Sequence, residues 1–276
     1  MRGHDLSRYF HNHFHFKNGI SSLGKGAKVS FPDDGHEQHF QIEDDSFWYK
    51  HRNHCIASVV ARYSKDAVFF DVGGGNGKVT KYLQDDNVPV VLVEAGVQGT
   101  MNARQRGVTQ LIHADFTDLD IKPSSLPAVG MFDVLEHIKD DAGCIKKIYN
   151  ALIPDGYYYL AVPAYAFLWS HEDVTEGHFR RYTLRSLKKK LQHAGFQIAY
   201  ATYIFQYLPL PIFLTRVLSS RLPFLKNRNI DDRNNDHISN ARENKILEFL
   251  NARELSAISK GKSMKFGSTV LIVAKK

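Results

Sequence analysis

The chain has 276 residues, of which 43% are hydrophobic and 24% are charged, so it can bury one sizeable core and is neither disordered nor fibrous. Its net charge of +7 favours anionic partners such as phosphorylated substrates, nucleic acid or an anionic membrane surface, without choosing among them. Cys55 and Cys144, the two cysteines, lack CxxC spacing. They imply neither a disulfide framework nor a cysteine zinc site, and a reducing, cytoplasmic setting fits best.

The first segment, residues 1–45, precedes the main pattern of apolar runs. Residues 1–17 contain scattered histidines and aromatic residues but no apolar core followed by a small-residue cleavage site, so they do not resemble a secretory signal. We expect an N-terminal arm that is mobile or loosely docked.

From residue 66 to about 205, short apolar runs alternate with helix-compatible stretches, the pattern of repeated βαβ units and a mainly parallel sheet. Most runs are continuously apolar, as in central strands covered on both faces. A helix capped by Thr183 and ended by Gly195 precedes the sixth strand. The predicted strands are 68–72, 89–93, 110–113, 128–132, 157–162, 196–204 and 269–274. We therefore predict a doubly wound, Rossmann-like, seven-stranded mixed sheet formed by residues 46–205 and 267–276.

Residues 206–266 lie between the last two predicted strands and should form a helical insertion or lid. Within it, the apolar stretch 207–225 is broken by prolines and arginines, so we expect no transmembrane segment. This stretch could contact a membrane peripherally or admit a lipid tail, although such segments more often pack as a lid or a dimer contact. A helix near 239–258 carries an apolar stripe that by default serves packing.

Residues 69–77, FFDVGGGNG, end a strand in a glycine turn that opens a helix, which is where open α/β sheets bind ligands. Glycine lets the backbone approach a ligand closely. The dinucleotide pattern GxGxxG fails because Lys78 takes its last position, and a P-loop fails because Val79 follows Gly77 and Lys78. The acid-x-Gly-x-Gly-x-Gly spacing instead resembles motif I of the class I methyltransferases, which use S-adenosylmethionine (SAM).

Three later strand ends strengthen this resemblance. Glu94 ends the second strand with a carboxylate that can accept two hydrogen bonds from vicinal ribose hydroxyls, the role that the family assigns it. In the family an acid and an apolar residue after the third strand contact adenine, and Asp115 and Phe116 match them. Residues 131–138, MFDVLEHI, resemble motif IV, whose backbone faces the methionine part of SAM. The resemblance implies these cofactor-binding residues: Asp71, Gly73, Gly74, Gly75, Gly77, Glu94, Ala95, Asp115, Phe116, Asp133, Val134 and Leu135.

Residues 46–53, SFWYKHRN, resemble the lead segment of a bacterial subgroup of methyltransferases that act on small molecules, lipids or glycans. The resemblance places this segment over the cofactor, so Trp48, Tyr49 and Arg52 would cover its methionine moiety, with Arg52 bonding the carboxylate. An aromatic helix start that packs on the core is an equal alternative.

Three histidines are candidates for catalysis. His137 follows the fourth strand and could act as a base if the acceptor is a hydroxyl or an acidic carbon; a buried histidine that caps the next helix is an equal alternative. His171 and His178 belong to a loop that lines the acceptor pocket in the subgroup. Arg180 and Arg181 in this loop could bind an anion or simply neutralise nearby acids.

We predict no bound metal. Residues 36–39, HEQH, do not form the HExxH zinc motif. Glu136, His137 and Glu172 could form an oxygen–nitrogen site, by analogy with some quinone-modifying methyltransferases, and this is the weaker alternative.

Taken together, these patterns predict a SAM-dependent methyltransferase with a small-molecule or a lipid- or glycan-linked acceptor. The alternative of an RNA methyltransferase is favoured by the basic charge. It is opposed by the lack of an appended RNA-binding module and of an Asn/Asp-Pro-Pro-aromatic motif after the fourth strand, so nucleic acid is not the expected partner. A non-catalytic SAM-binding or partner-binding protein is a second alternative, and the missing GxGxxG disfavours a nicotinamide-dependent oxidoreductase.

Overall fold

The computed structural model describes residues 5–24, 40, 42–218 and 245–276. Their strands form one sheet in the order β1-β2-β5-β4-β3-β6-β7-β9-β8. The strands are β1 (His15–Lys17), β2 (Ile20–Ser22), β3 (Phe69–Val72), β4 (Val90–Glu94), β5 (Leu111–His113), β6 (Leu126–Phe132), β7 (Leu152–Pro163), β8 (Gln197–Ile204) and β9 (Thr269–Lys275).

Helices cover both faces of this sheet. In chain order they are α1 (Phe47–Tyr63), α2 (Lys78–Asp85), α3 (Val97–Gln105), α4 (Asp141–Ala151), α5 (His171–Thr175), α6 (Leu184–Ala194), α7 (Pro209–Ile212) and α8 (Lys245–Ser259). The chain continues from α7 into a π-helical stretch, Phe213–Val217. As predicted, Thr183 caps α6 by accepting a 3.1 Å hydrogen bond from the Ser186 amide, and Gly195 ends it in a left-handed conformation with φ 110°.

The predicted doubly wound fold is confirmed. All seven predicted strands are present; β3 to β7 pair in parallel, and β9 pairs antiparallel with both β7 and β8. The chain order reverses at β3, which lies between β4 and β6. Loops diverge at such a switch point and leave a crevice at the carboxyl ends of the strands.

Neighbouring residues of each central strand face opposite sides, because side chains alternate along a strand. Phe70 and Tyr158 join one buried cluster together with Leu187 of α6. Phe69 and Tyr159 join the other, together with apolar residues of α1, α2 and α8. Each buried aliphatic or aromatic side chain contributes about 1.5–3 kcal/mol, so the two layers hold the strand ends in fixed positions.

The N-terminal segment departs from expectation. The side chains of Tyr9 and Phe10 are buried and pack edge-to-face on Phe70, with ring centres 4.9 Å and 5.9 Å away. β1 and β2 form a hairpin, and β2 pairs in parallel with β5, Ile20 opposite Leu111. For residues 5–17, the expectation of a mobile or loosely docked arm is therefore wrong, because two aromatic anchors and a strand pairing fix the segment.

Helix α8 of the insertion is anchored on the core through Glu254. This buried carboxylate accepts hydrogen bonds from His51 Nε2 of α1 at 2.8 Å and from the Phe205 and Gln206 amides at 2.7 Å and 3.1 Å. The expected first turns of this helix, 239–244, and residues 219–225 of the apolar stretch lie outside the described residues. No described helix has both the length and the apolar composition that crossing a bilayer requires.

Candidate active site

A cavity of about 1070 Å³ opens at the carboxyl ends of β3, β4 and β6, as the switch point requires. It brings together most of the residues predicted for cofactor and acceptor. Those that line it are Trp48, Arg52, Asp71, Gly73, Gly74, Gly75, Glu94, Ala95, Asp115, Phe116, Asp133, Val134, His137 and His178.

The glycine loop after β3 has no room for side chains. Gly73 has φ +72°, and a Cβ there would lie 2.7 Å from Val134 Cγ2. A Cβ on Gly74 would lie 2.4 Å from Leu92 Cδ1. The loop backbone therefore passes tightly against two neighbouring elements, and without side chains it lets a ligand in the cavity approach closely.

Glu94, at the end of β4, holds the loop in place. Its Oε2 accepts the Gly75 amide at 2.8 Å, and its Oε1 accepts the Gly96 amide at 2.6 Å. A carboxylate has about four lone-pair positions, so each oxygen can accept one more hydrogen bond. This arrangement suits a ligand with two adjacent hydroxyl groups.

Asp71 is fully buried below the loop. Thr80 of α2 donates a hydrogen bond to its Oδ2, while its Oδ1 has no hydrogen-bond partner among the described residues. Burial raises its pKa to about 6. Asp71 thus joins the start of α2 to the end of β3 and keeps one oxygen available on the cavity side.

Arg52 and Asp133 close one end of the cavity as an ion pair, with Nη2 2.6 Å from Oδ2. The Arg52 guanidinium carbon lies 5.3 Å from the centre of the Trp48 ring, and Trp48 in turn stacks on Phe205. Arg52 Nε has no hydrogen-bond partner among the described residues. This buried donor suits a ligand carboxylate, because a guanidinium can bind an anion with two parallel N–H groups.

Asp115 and Phe116 follow β5 on another wall. Asp115 Oδ1 accepts hydrogen bonds from the amide and hydroxyl of Thr117 at 2.8 Å and 2.7 Å. Lys147 of α4 donates to the Phe116 carbonyl at 2.8 Å and lies 4.8 Å from the centre of the Phe116 ring. The aromatic face and the neighbouring carboxylate match the needs of a planar ring that carries an amino group.

Glu136, His137 and His178 form a second group in the same cavity, here called the polar cluster. Both carboxylate oxygens of Glu136 and the Nδ1 of His137 are buried without a hydrogen-bond partner among the described residues. The rings of His137 and His178 meet edge-to-face, with their centres 4.7 Å apart. Burial, reinforced by the charge of Asp133, raises the pKa of Glu136 well above its ordinary value. Burial and the neighbouring His178 lower the pKa of His137 to about 4.

His178 is held by carboxylates on both sides of its ring. Its Nδ1 lies 2.8 Å from Asp173 Oδ1, and its Nε2 lies 3.2 Å from Glu176 Oε2. Burial alone would lower its pKa, but these carboxylates outweigh that effect and raise it to about 10. Asp173 is itself held by Arg181 Nε at 2.7 Å and by the Ser170 amide at 2.8 Å.

A family model described as a methyltransferase domain matches residues 48–201, which is more than half of the chain. The chain belongs to this family. The match covers the glycine loop, Glu94 and motif IV, and it confirms the predicted class of enzyme and SAM as the methyl donor of the class. Sequence comparison with curated proteins gives no match.

Solved structures of methyltransferases share the fold. One is the complex between the Haloferax volcanii Trm112 methyltransferase activator and a methyltransferase, with TM-score 0.57, 17% identity and coverage of 88% of this chain and 94% of that one. Phosphoethanolamine N-methyltransferase 2 of Haemonchus contortus with bound SAM gives TM-score 0.55 and 15% identity over 90% of this chain and 58% of that one. A SAM-dependent methyltransferase of Thermotoga maritima gives TM-score 0.54 and 15% identity, and the match covers 88% of this chain and 95% of that one.

Three residues predicted for the site of this methyltransferase do not line the cavity. Gly77 precedes α2 with φ +72°, and a Cβ there would lie 2.7 Å from the Cβ of Ala103, so it serves helix packing. Leu135 is fully buried in the core. His171 begins α5 and is absent from the lining.

Sequence reasoning missed some residues that shape the methyltransferase site. Asp173 carries no cavity motif, although the spacing of Ser170 and Asp173 is that of a capping box, of which the structure shows the hydrogen bond from the Ser170 amide to Asp173 Oδ2 at 2.8 Å. Lys147 lies on the middle of α4, where no signal singled it out. Arg181 and Arg180 neutralise acids, as the structural alternative held: Arg181 binds Asp173, and Arg180 pairs with Asp141 at 2.9 Å.

Proposed function

We propose that this methyltransferase transfers a methyl group from SAM to a small-molecule or lipid- or glycan-linked acceptor. The glycine loop, Glu94, Asp115 and Phe116 would bind the adenosine part. Trp48, Arg52 and Asp133 would bind the methionine part. The observation that carries the proposal is that one cavity contains both these residues and the polar cluster, so that donor and acceptor can meet in it.

When bound, SAM supplies a methyl group on a sulfonium, which is already a strong electrophile. What the chain must then do is hold the acceptor close and keep water out. Glu136 and His137 line the cavity and carry side-chain atoms that have no hydrogen-bond partner among the described residues, so they can take up the proton that the methylated group loses. His178 contacts a carboxylate through each ring nitrogen, so we assign it to binding and positioning.

The first test is calorimetric titration with SAM and S-adenosylhomocysteine, with NAD as the negative control. We expect micromolar binding of both adenosyl ligands, weakened at least about tenfold in Glu94→Ala, because about 1.4 kcal/mol of hydrogen bonding to the ligand and loop is lost. Asp118→Ala is the matched control, because Asp118 is a nearby acid that does not line the cavity. No binding by the wild type, or a preference for NAD, would overturn the proposal.

The wall formed by α7 supports an acceptor with an apolar part. Leu208, Pro211 and Ile212 line the cavity, whereas Leu210 and Leu214, one helical turn apart, are 65% and 53% exposed. A helix that is apolar toward both the cavity and solvent suits the surface of a bilayer from which a lipid-linked acceptor enters.

Sedimentation with vesicles that contain an anionic phospholipid tests this contact. Because the chain carries a net charge of +7, we expect co-sedimentation of the wild type. In the double variant Leu210→Ser, Leu214→Ser the affinity for the vesicles should fall by at least about 100-fold, because the two leucines together lose about 3–6 kcal/mol of burial. Val174→Ser, a change at an exposed apolar residue of α5, is the control. Equal sedimentation of all three proteins would argue for a soluble acceptor. We also propose that the protein is located in the cytoplasm.

A further inference from the structure

The polar cluster contains three buried polar atoms that have no hydrogen-bond partner in the part of the chain that the structure describes, which is unusual. Folded proteins pair nearly all such atoms, and an orphan calls for an explanation such as an ion. Here both Glu136 oxygens and His137 Nδ1 are orphans in one place. Together with a His178 nitrogen, one donor atom from each residue lies within 4.8 Å of the others.

We propose that Glu136, His137 and His178 bind a divalent transition-metal ion of the Zn²⁺ class. Two imidazoles and one carboxylate are a donor set suited to Zn²⁺, Co²⁺ or Mn²⁺ rather than Mg²⁺ or Ca²⁺. In a tetrahedral site with bonds of about 2.1 Å the ligand atoms are about 3.4 Å apart, so modest side-chain rotations would complete it. The ion would also compensate the buried carboxylate, which is costly without a partner.

The surroundings of His178 support this assignment independently. A metal-binding histidine usually donates its second ring N–H to a carboxylate, which fixes the ring. His178 Nδ1 has that partner in Asp173, and Arg181 and the Ser170 amide hold Asp173 in turn. The other nitrogen, Nε2, contacts Glu176, whose side chain is 43% exposed. The ion would replace both this contact and the proton on Nε2, and that proton would pass to solvent.

The ligand set differs from the oxygen–nitrogen set considered from the sequence. The carboxylate of Glu172 pairs with Arg216 instead of joining Glu136 and His137. In the proposed ligand set His178 replaces Glu172. A second group of donors, His51, Cys55 and Glu254, does not carry the same argument, because both Glu254 oxygens already accept hydrogen bonds.

The role of the ion rests on the proposed function. With the ion bound, Glu136 and His137 would be its ligands, and an acceptor hydroxyl on the ion would lose its proton to solvent more readily, because a divalent cation would stabilise the oxyanion. The binding of the ion itself requires neither SAM nor an acceptor, and it can be tested alone.

The experiment titrates chelator-treated protein with Co²⁺ and follows its visible absorption, with competition by Zn²⁺ and with Mg²⁺ as the negative control. We expect one ion per chain with micromolar or tighter affinity, and affinity reduced at least about 100-fold in Glu136→Gln and His178→Gln. Asp173→Asn leaves the three proposed ligands in place but alters the contact that positions His178 and the ion pair with Arg181, and it should weaken binding about 10–100-fold. His171→Gln is the control, because His171 lies outside the cavity lining.

Three outcomes would overturn the site: no Co²⁺ binding, binding unchanged in Glu136→Gln and His178→Gln, or a sulfur-to-cobalt absorption band that disappears in Cys55→Ser. Circular dichroism and thermal melting of each variant separate lost ligands from lost folding. SAM titration of the same samples keeps the two proposals apart: Co²⁺ binding without SAM binding would remove the proposed function and leave the metal site standing.

Discussion

Gly73→Ala is expected to weaken SAM binding more than about 100-fold, which corresponds to at least about 2.7 kcal/mol. A Cβ at this position would lie 2.7 Å from Val134 Cγ2, and the backbone has φ +72°. The loop must therefore move away from both β6 and the cavity. The measurement is calorimetric titration of the variant with SAM and S-adenosylhomocysteine.

Gly107→Ala is the matched control for the cost of placing an alanine at a positive φ. Gly107 also has positive φ, +89°, but its nearest neighbour is the flexible end of Lys81 at 3.4 Å, and it lies outside the cavity lining. We expect about 1 kcal/mol of lost stability from the left-handed conformation and unchanged SAM affinity. Equal SAM affinity in Gly73→Ala and the wild type would show that the loop does not contact the cofactor.

Glu254→Ala is expected to lower the free energy of unfolding by about 3 kcal/mol, the range for breaking a buried pair from one side. In the wild type, His51 and the amides of Phe205 and Gln206 donate to this carboxylate. The change leaves these three donors without an acceptor. Urea unfolding gives the measurement, and Glu248→Ala, at an exposed position of the same helix, is the control. A loss below about 1 kcal/mol would show that α8 contributes little to the core.

The same carboxylate makes stability depend on pH. Burial by itself would raise the pKa of Glu254, but the hydrogen bonds from His51 and the two amides outweigh it and lower the pKa below its ordinary value of 4.5. A lowered pKa in the folded state stabilises the protein above pH 4.5, and this contribution is lost as the pH falls below that value. The difference in unfolding free energy between wild type and Glu254→Ala should therefore shrink on acidification.

The central sheet could be predicted because its strands are continuous apolar runs separated by helical stretches. The carboxyl ends of β3, β4, β5 and β6 then had to meet, and the glycine loop, Glu94 and Asp115 with them. Strand ends are places where the position in the sequence determines the position in the fold, so most of the cofactor half of the site could be read from the residues.

The three members of the polar cluster were each candidates in the sequence, but their grouping could not be read in this way. Glu136 and His137 follow β6 and His178 follows α5, and the contact between these two turns pairs the His137 ring with the His178 ring. Such pairs leave no periodic signal. The hairpin of β1 and β2 escaped prediction for a different reason, since three-residue strands with exposed or half-buried side chains show no apolar run.

The hairpin of β1 and β2 determines which strand lies at the edge of the sheet beside β5, and therefore which backbone groups there have no partner strand. β2 satisfies the edge of β5, and the new outer strand, β1, is only three residues long and carries His15 and Lys17. Short, charged edge strands discourage pairing between molecules. A version of the chain trimmed to start at residue 46 would keep every residue assigned to cofactor and acceptor, yet it would expose Leu111–His113 as a bare apolar edge. We expect it to aggregate by strand-to-strand association, although its chemistry would be complete.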